Sequence, residues 1–193
     1  MKSSPPYHYS ARKKLMIFEK EFLPHIHSIY NFACHIAVSE DDAKDLVQET
    51  YLRSFRFIES FQKGTNAKAW LFRILKNNFI NEYRKKSKEP SKIDYEQVES
   101  FYNTEEIPLP ALTDLRVEAV RDLIGDEVSN ALSSLDLDFR TVIILRDLEG
   151  FTYGEMSIIL DIPLGTVRSR LHRARLLLRE KLKCYADIMG YRK

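Results

Sequence analysis

"IPLGTVRSRLHRAR", residues 162–175, decides how the chain is read, because a proline and a glycine are followed at once by Arg168, Arg170, His172, Arg173 and Arg175. Pro163 has a fixed φ suited to an initial helical turn, and Thr166 can bond nearby backbone amides. Nothing from Val167 onward breaks a helix before Gly190. Val167, Leu171, Ala174, Leu178 and Leu182 follow the 3.6-residue repeat and form one apolar stripe. At about 100° per residue, the opposite side carries Ser169, His172 and Arg173. Arg168 and Arg175 lie on one flank, Arg170 and Thr166 on the other. A solvated face is the ordinary explanation of charge on a helix, but solvated faces mix signs. Residues 164–178 hold four arginines and no acid, so i,i+4 pairing does not account for them and a polyanion does.

Working backwards, "TYGEMSIILD" reads as a helix and "DIPLG" as a short turn, which together with the arginine-bearing helix has the spacing of a helix-turn-helix unit. In that geometry the second helix enters the major groove. Further upstream, "DEVSNALSSL" and "LDFRTVIILRDLEG" read as two more helices, the latter ending at Gly150 as a C-cap.

The 193 residues carry a formal net charge of only +2, enough chain for one ordinary domain or two small ones. The charge is arranged in blocks. Residues 68–88 hold seven bases against Glu82, net +6, and residues 161–193 hold nine bases against three acids, again +6. Between them, residues 93–127 hold ten acids against Arg116 and Arg121, net −8. Two basic modules therefore flank an acidic connector. Cys34 and Cys184 are far apart, with no CxxC pair and no histidine at ligand spacing, which argues against a disulfide or a metal site. The N-terminus lacks the apolar core of a signal peptide, and no stretch approaches the roughly 18 apolar residues of a membrane span. A cytoplasmic protein is expected.

Strand signals are scarce, and the expected class is all-α: two small helical domains on a flexible acidic linker. Segment 12–37 is broadly apolar, with Pro24 as a kink or boundary. "SEDDAKDLVQETYLRSFRFI" opens with Ser39 as N-cap and acids in its first turn, where the helix dipole favours them. A third helix follows "QKGTN" and runs through "AKAWLFRILKNNFINEYRKK", with Trp70, Ile74, Leu75 and Phe79 as apolar contacts. Trp70 and Phe79 can serve as core or as stacking platforms. Asn77 and Asn81, four residues apart, offer donors and acceptors on one face. After Lys88 the periodicity dissolves into prolines and acids. The expected division is an N-terminal extension 1–11, a first module 12–88, a linker 89–119 and a second module 120–193.

"LRDLEGFTYGEMSIILDIPLGTVRSRLHRARLLLREKL" closely resembles region 4 of the sigma-70 family, and "DDAKDLVQETYLRSFRFIESFQKGTNAKAWLFRILKNNFINEYRKK" resembles its region 2. The order of the two and the short acidic connector in place of a middle domain resemble an extracytoplasmic-function (ECF, group IV) sigma factor. Ser157, where many members have alanine, and Phe72, where tyrosine is frequent, are small departures that leave the promoter sequence open.

The resemblance implies a non-enzymatic subunit that binds core RNA polymerase through its β′ and β subunits, reads minus-10 and minus-35 DNA, and promotes melting. Asp45, Gln48, Glu49 and Leu52 share a helix face; Asp45, Gln48 and Glu49 match positions that dock on the β′ clamp helices, where carboxylates steer basic groups. Phe61, Asn66, Arg73, Asn77, Asn81, Arg84 and Lys85 would serve the minus-10 element, with the loop "SFQKGTN" holding a flipped base. Thr166, Arg168, Ser169, Arg170, His172, Arg173 and Arg175 would serve the minus-35 element, since arginine can bridge guanine O6 and N7. The linker would thread near the RNA exit path or act as a solvated tether. An anti-sigma factor is the expected regulator, wedged between the modules over both faces. A self-sufficient helix-turn-helix repressor or activator is the alternative. No nucleophile-base pair, phosphate loop or metal cluster supports an enzyme, and no catalytic residue, metal or cofactor is expected.

Overall fold

The computed structural model describes residues 9–88 and 125–190, with side chains of the first stretch described as far as Asn81. The proposed linker, most of the N-terminal extension and the side chains of Arg84 and Lys85 lie outside the described residues. Among the described residues every regular element is helical.

In the first module, α1 (Ala11–Ile17) continues through a π-turn (Phe18–Phe22) and a 3-10 turn (Leu23–His25) into α2 (Ile26–Ile36). Pro24 sits inside the 3-10 turn, where its missing N–H breaks the helical ladder. α3 (Glu40–Arg56) starts at Ser39, whose hydroxyl accepts the Asp42 N–H at 3.1 Å, and Glu40, Asp41 and Asp42 occupy the first turn. α4 (Ala67–Lys88) is N-capped by Asn66, whose Oδ1 accepts the Ala69 N–H at 3.0 Å. The core between these helices is a cluster of rings. Phe22 stacks on Trp70 with centroids 5.1 Å apart and meets Phe61 edge-on at 5.1 Å. Phe18 meets Tyr51 at 5.9 Å and Phe55 at 5.4 Å. The Tyr51 hydroxyl donates to the Phe22 carbonyl at 3.1 Å, so this buried polar tip is satisfied.

In the second module, α5 (Asp126–Ser133) precedes α6 (Leu137–Ile143), which runs on as a π-turn over Ile144–Leu148. Gly150 has φ +77°, which allows the chain to leave the helix as the sequence suggests. α7 (Tyr153–Leu160) begins with a full capping box. The Thr152 hydroxyl takes the Glu155 N–H while the Glu155 carboxylate takes the Thr152 N–H at 2.8 Å. Asp161 turns the chain in the left-handed region (φ 56°), and α8 (Leu164–Lys181) starts after Pro163.

Two local expectations are revised. Pro163 stands at the N-cap rather than within the first turn, and no side chain caps α8, so Thr166 does not perform that role. The helix also stops at Leu182 (φ −90°, ψ 1°), and a separate α9 (Lys183–Ile188) follows. Ahead of Gly190 no proline or glycine marks that break.

The modules are packed against one another. Phe72 of α4, fully buried, meets Phe151 edge-on at 4.9 Å. Lys68 forms an ion pair with Glu149 at 2.7 Å and also donates to the Glu149 carbonyl at 3.1 Å. At a second point the Arg140 guanidinium donates to the His35 carbonyl at the end of α2, at 2.8 Å.

Candidate nucleic-acid interface

The arginine-bearing helix lies as its periodicity demands. Val167, Leu171 and Ala174 are buried, Leu178 and Leu182 are half-buried, and Ser169, His172 and Arg173 face outward. The flanks differ from the expectation of a uniformly free cationic face. Arg175 is held by Asp147 through two hydrogen bonds of 3.1 and 2.5 Å, which raise its pKa above the ordinary arginine value. Half-buried Arg170 pairs with Asp138 at 3.0 Å. Arg168 is exposed and stands 5.9 Å from the Tyr153 ring centroid, which Arg146 approaches from 5.1 Å. The outward set is therefore Arg168, Ser169, His172 and Arg173. Arg173 and Ser169, with Thr166, border a groove of about 470 Å³ against the start of α6.

In the first module, Asp45 and Gln48 are exposed on α3, Glu49 and Leu52 are half-exposed beside them, and Glu49 forms an ion pair with Arg53 one turn on. All four border one groove of about 420 Å³ between α3 and α4, whose far wall is Asn78 and Asn81. The amides divide by register. Asn77 and Asn81 are exposed, as their spacing suggests, while Asn78 is 2% exposed and its Nδ2 lies 3.4 Å from the Thr50 hydroxyl. Arg73 is exposed on the same helix.

The structure corrects the role expected of Phe61. It is 3% exposed and wedged between Phe22 and Trp70, so its ring belongs to the core and offers no face to a base. Trp70 likewise packs inward against Phe22. Asn66 is exposed but engaged, since its Nδ2 donates to Glu155 Oε1 of the second module at 2.5 Å. The backbone N–H of Thr152 above all holds the Glu155 carboxyl below the ordinary glutamate value, with the Thr152 hydroxyl, Asn66 and Lys68 adding to it and burial opposing. Lys68, Glu149 and Glu155 escaped the reading of the sequence. The Thr152-x-x-Glu155 pattern could have marked the capping box, but nothing local marks a pair such as Lys68 and Glu149, 81 residues apart.

Sequence comparison bears on what such faces do. A family model described as Sigma-70 region 2 matches residues 22–89, and one described as Sigma-70, region 4 matches residues 125–178. The ECF RNA polymerase sigma factor EcfG of Rhodopseudomonas palustris is 36% identical over 155 residues, 80% of this chain and 79% of that protein. The chain belongs to the ECF sigma factors of the sigma-70 family. The ECF RNA polymerase sigma factor SigE of Mycolicibacterium smegmatis is 35% identical over 161 residues, 82% of this chain, and the match spans 58% of that protein. Among solved structures, the sigma factor RpoE in its co-crystal with the anti-sigma factor NepR from Bartonella quintana aligns with a TM-score of 0.64 at 31% identity. That alignment covers 86% of this chain and 96% of that one. As a sigma factor the chain is a transcription initiation factor and not an enzyme. Among the described residues no helix is long and apolar enough to cross a membrane.

Proposed function

We propose that this sigma factor works in the cytoplasm as the promoter-specificity subunit of RNA polymerase. The α3 face of Asp45, Gln48, Glu49 and Leu52 docks on the polymerase β′ subunit. Asn66, Arg73, Asn77 and Asn81 serve the minus-10 strand, together with Arg84 and Lys85 further along α4. Arg168, Ser169, His172 and Arg173 read the minus-35 element in the major groove. The observation that carries the reading is the outward set on α8, cationic and without acid, directly opposite a buried stripe in a helix-turn-helix. Arg170 and Arg175 enter only as secondary contacts, because carboxylates of their own module hold them. Melting follows from capture of the unpaired strand, the cost of extruding a base being a few kcal/mol.

An anti-sigma factor is the regulator this reading calls for, and the Bartonella relative was crystallised with one. A partner wedged between the modules would first have to part Phe72 from Phe151.

Footprinting of the purified chain on promoters of its own host, with and without core polymerase, tests the reading. Protection at both elements that needs core polymerase is expected; full protection by the chain alone, as a dimer, would mark a self-sufficient repressor or activator instead.

A further inference from the structure

Asn78 is an amide at a position where its helix calls for an apolar side chain. On α4 the buried stripe steps from Leu71 to Leu75, both fully enclosed, and the next step of the helical repeat brings it to Asn78. The side chain is 2% exposed, and its Oδ1, shut off from solvent, has no donor among the described residues. Its Nδ2 reaches only the Thr50 hydroxyl, at 3.4 Å, beyond the usual hydrogen-bond range. Turning the amide over serves the oxygen no better, because that hydroxyl already gives its hydrogen to the Leu46 carbonyl at 2.7 Å. A buried acceptor without a donor costs stability, and a leucine here would not incur that cost.

The orphaned amide belongs to the wall of the groove of about 420 Å³ between α3 and α4, and the other lining residues select the missing donor. Glu49 is engaged with Arg53, while Asp45 has no ion-pair partner among the described residues. An anion in the groove would meet the Asp45 charge, and an apolar group would leave the Asn78 oxygen unserved. A guanidinium answers both, with two parallel N–H groups for the carboxylate and a further one for the amide. It is also more weakly hydrated than an ammonium, so it leaves water more readily. The terminal torsion of an asparagine is broad, and the long contact to Thr50 holds it loosely, so the oxygen can turn to the groove at little cost.

We infer that Asn78 is a polymerase contact: its Oδ1 accepts an N–H from an arginine of the β′ subunit, whose guanidinium enters the groove between α3 and α4 and pairs there with Asp45. The inference rests on the proposed function and deepens it, because it extends the docking face from the surface of α3 to a floor residue on α4.

Titration of the full-length chain against core polymerase of its host, with urea unfolding of each variant, tests this. Asn78→Leu is expected to keep or gain stability and yet bind core about tenfold more weakly, since a hydrogen bond from a charged donor is lost. An amide with a structural role only would not separate the two quantities in this way. Asp45→Ala is expected to weaken binding by a similar factor. The two changes combined should weaken it by much less than the roughly hundredfold expected of independent contacts, because one guanidinium serves both. Unchanged affinity in Asn78→Leu, a weakening matched by lost stability, or losses that multiply in full would each overturn the inference. A loss at Asp45 with none at Asn78 removes the inference and leaves the α3 docking face standing; no loss at Asp45 removes that face and the inference with it.

Discussion

The first module is held by rings and the second by aliphatic side chains, and this sets how much each can stand by itself. Around Phe22 the first module gathers Phe18, Phe61 and Trp70, with Tyr51 and Phe55 beyond. The second module instead buries Leu132, Leu135, Val142, Ile144, Leu145, Ile159, Val167 and Leu171. Among the described residues its one buried ring, Phe151, is covered from outside by Phe72. A unit as small as residues 125–190 buries a modest share of its surface, so the contact with α4 supplies burial that its own helices do not. The difference makes the first module the anchor and the second the part that gains by docking.

The largest test of that contrast is Phe22→Ala. Removing a fully buried ring from the centre of the cluster is expected to cost about 4 kcal/mol, read by urea unfolding. The single tryptophan, Trp70, stacks on Phe22 and reports the change by fluorescence. A loss below about 1 kcal/mol would mean that the rings do not carry the first module.

In the second module Leu171→Ala removes the centre of the α8 stripe and should cost about 3 kcal/mol. The loss should be larger together with Glu149→Lys, which removes the ion pair to Lys68 that holds the module against α4. Equal losses in both backgrounds would show that docking gives the module no support.

Function sharpens the comparison within α8 itself. Arg173→Ala should cost about 1–3 kcal/mol of promoter affinity at a guanine-containing upstream position. Arg175→Ala should cost less, since its guanidinium is already spent on exposed Asp147 and such pairs contribute under about 1 kcal/mol to stability. Gel-shift titrations with the assembled polymerase distinguish the two, and a larger effect at Arg175 would reverse the assignment.

The smallest expected effect is that of pH on stability. Burial lowers the pKa of His25 below the ordinary 6.5; Lys68 adds to the shift, while Glu149 and Glu21 oppose it. Burial also lowers that of His35, with Arg140 adding to it and the Asn31 carbonyl and Glu149 opposing. Both rings therefore bind fewer protons in the folded chain than in the unfolded one. Their contribution to stability is fully present above about pH 6.5 and is lost as the pH falls through the lowered values. Urea unfolding between pH 7.5 and 5.5 should show a loss of stability on acidification that His25→Gln and His35→Gln reduce. A loss of the same size in those variants would assign it to other groups.

Much of the molecule was legible in its sequence because helices are local objects. The stripe from Val167 to Ala174, the Ser39 cap, the break at Pro24 and the turn after Gly150 depend on residues within a turn or two of each other, and the structure places them as read. Exposure of Ser169, His172, Arg173, Asn77 and Asn81 followed from the same periodicity. What periodicity does not carry is which neighbour a side chain meets across the fold. Phe61 sits in a loop of polar residues and reads as available, yet Phe22, 39 positions earlier, encloses it. Arg175 lies on the cationic face, yet Asp147 reaches it from the end of the preceding π-turn. The contacts of Lys68 with Glu149 and of Asn66 with Glu155 join residues 81 and 89 positions apart. The sequence by itself determined the helices, their buried stripes and the two charged modules, because those are set by spacing along one chain segment. Only the tertiary structure decided which charged groups remain free to meet DNA and that the modules are docked, because an ion pair or ring contact depends on the distance in space between segments the sequence keeps apart.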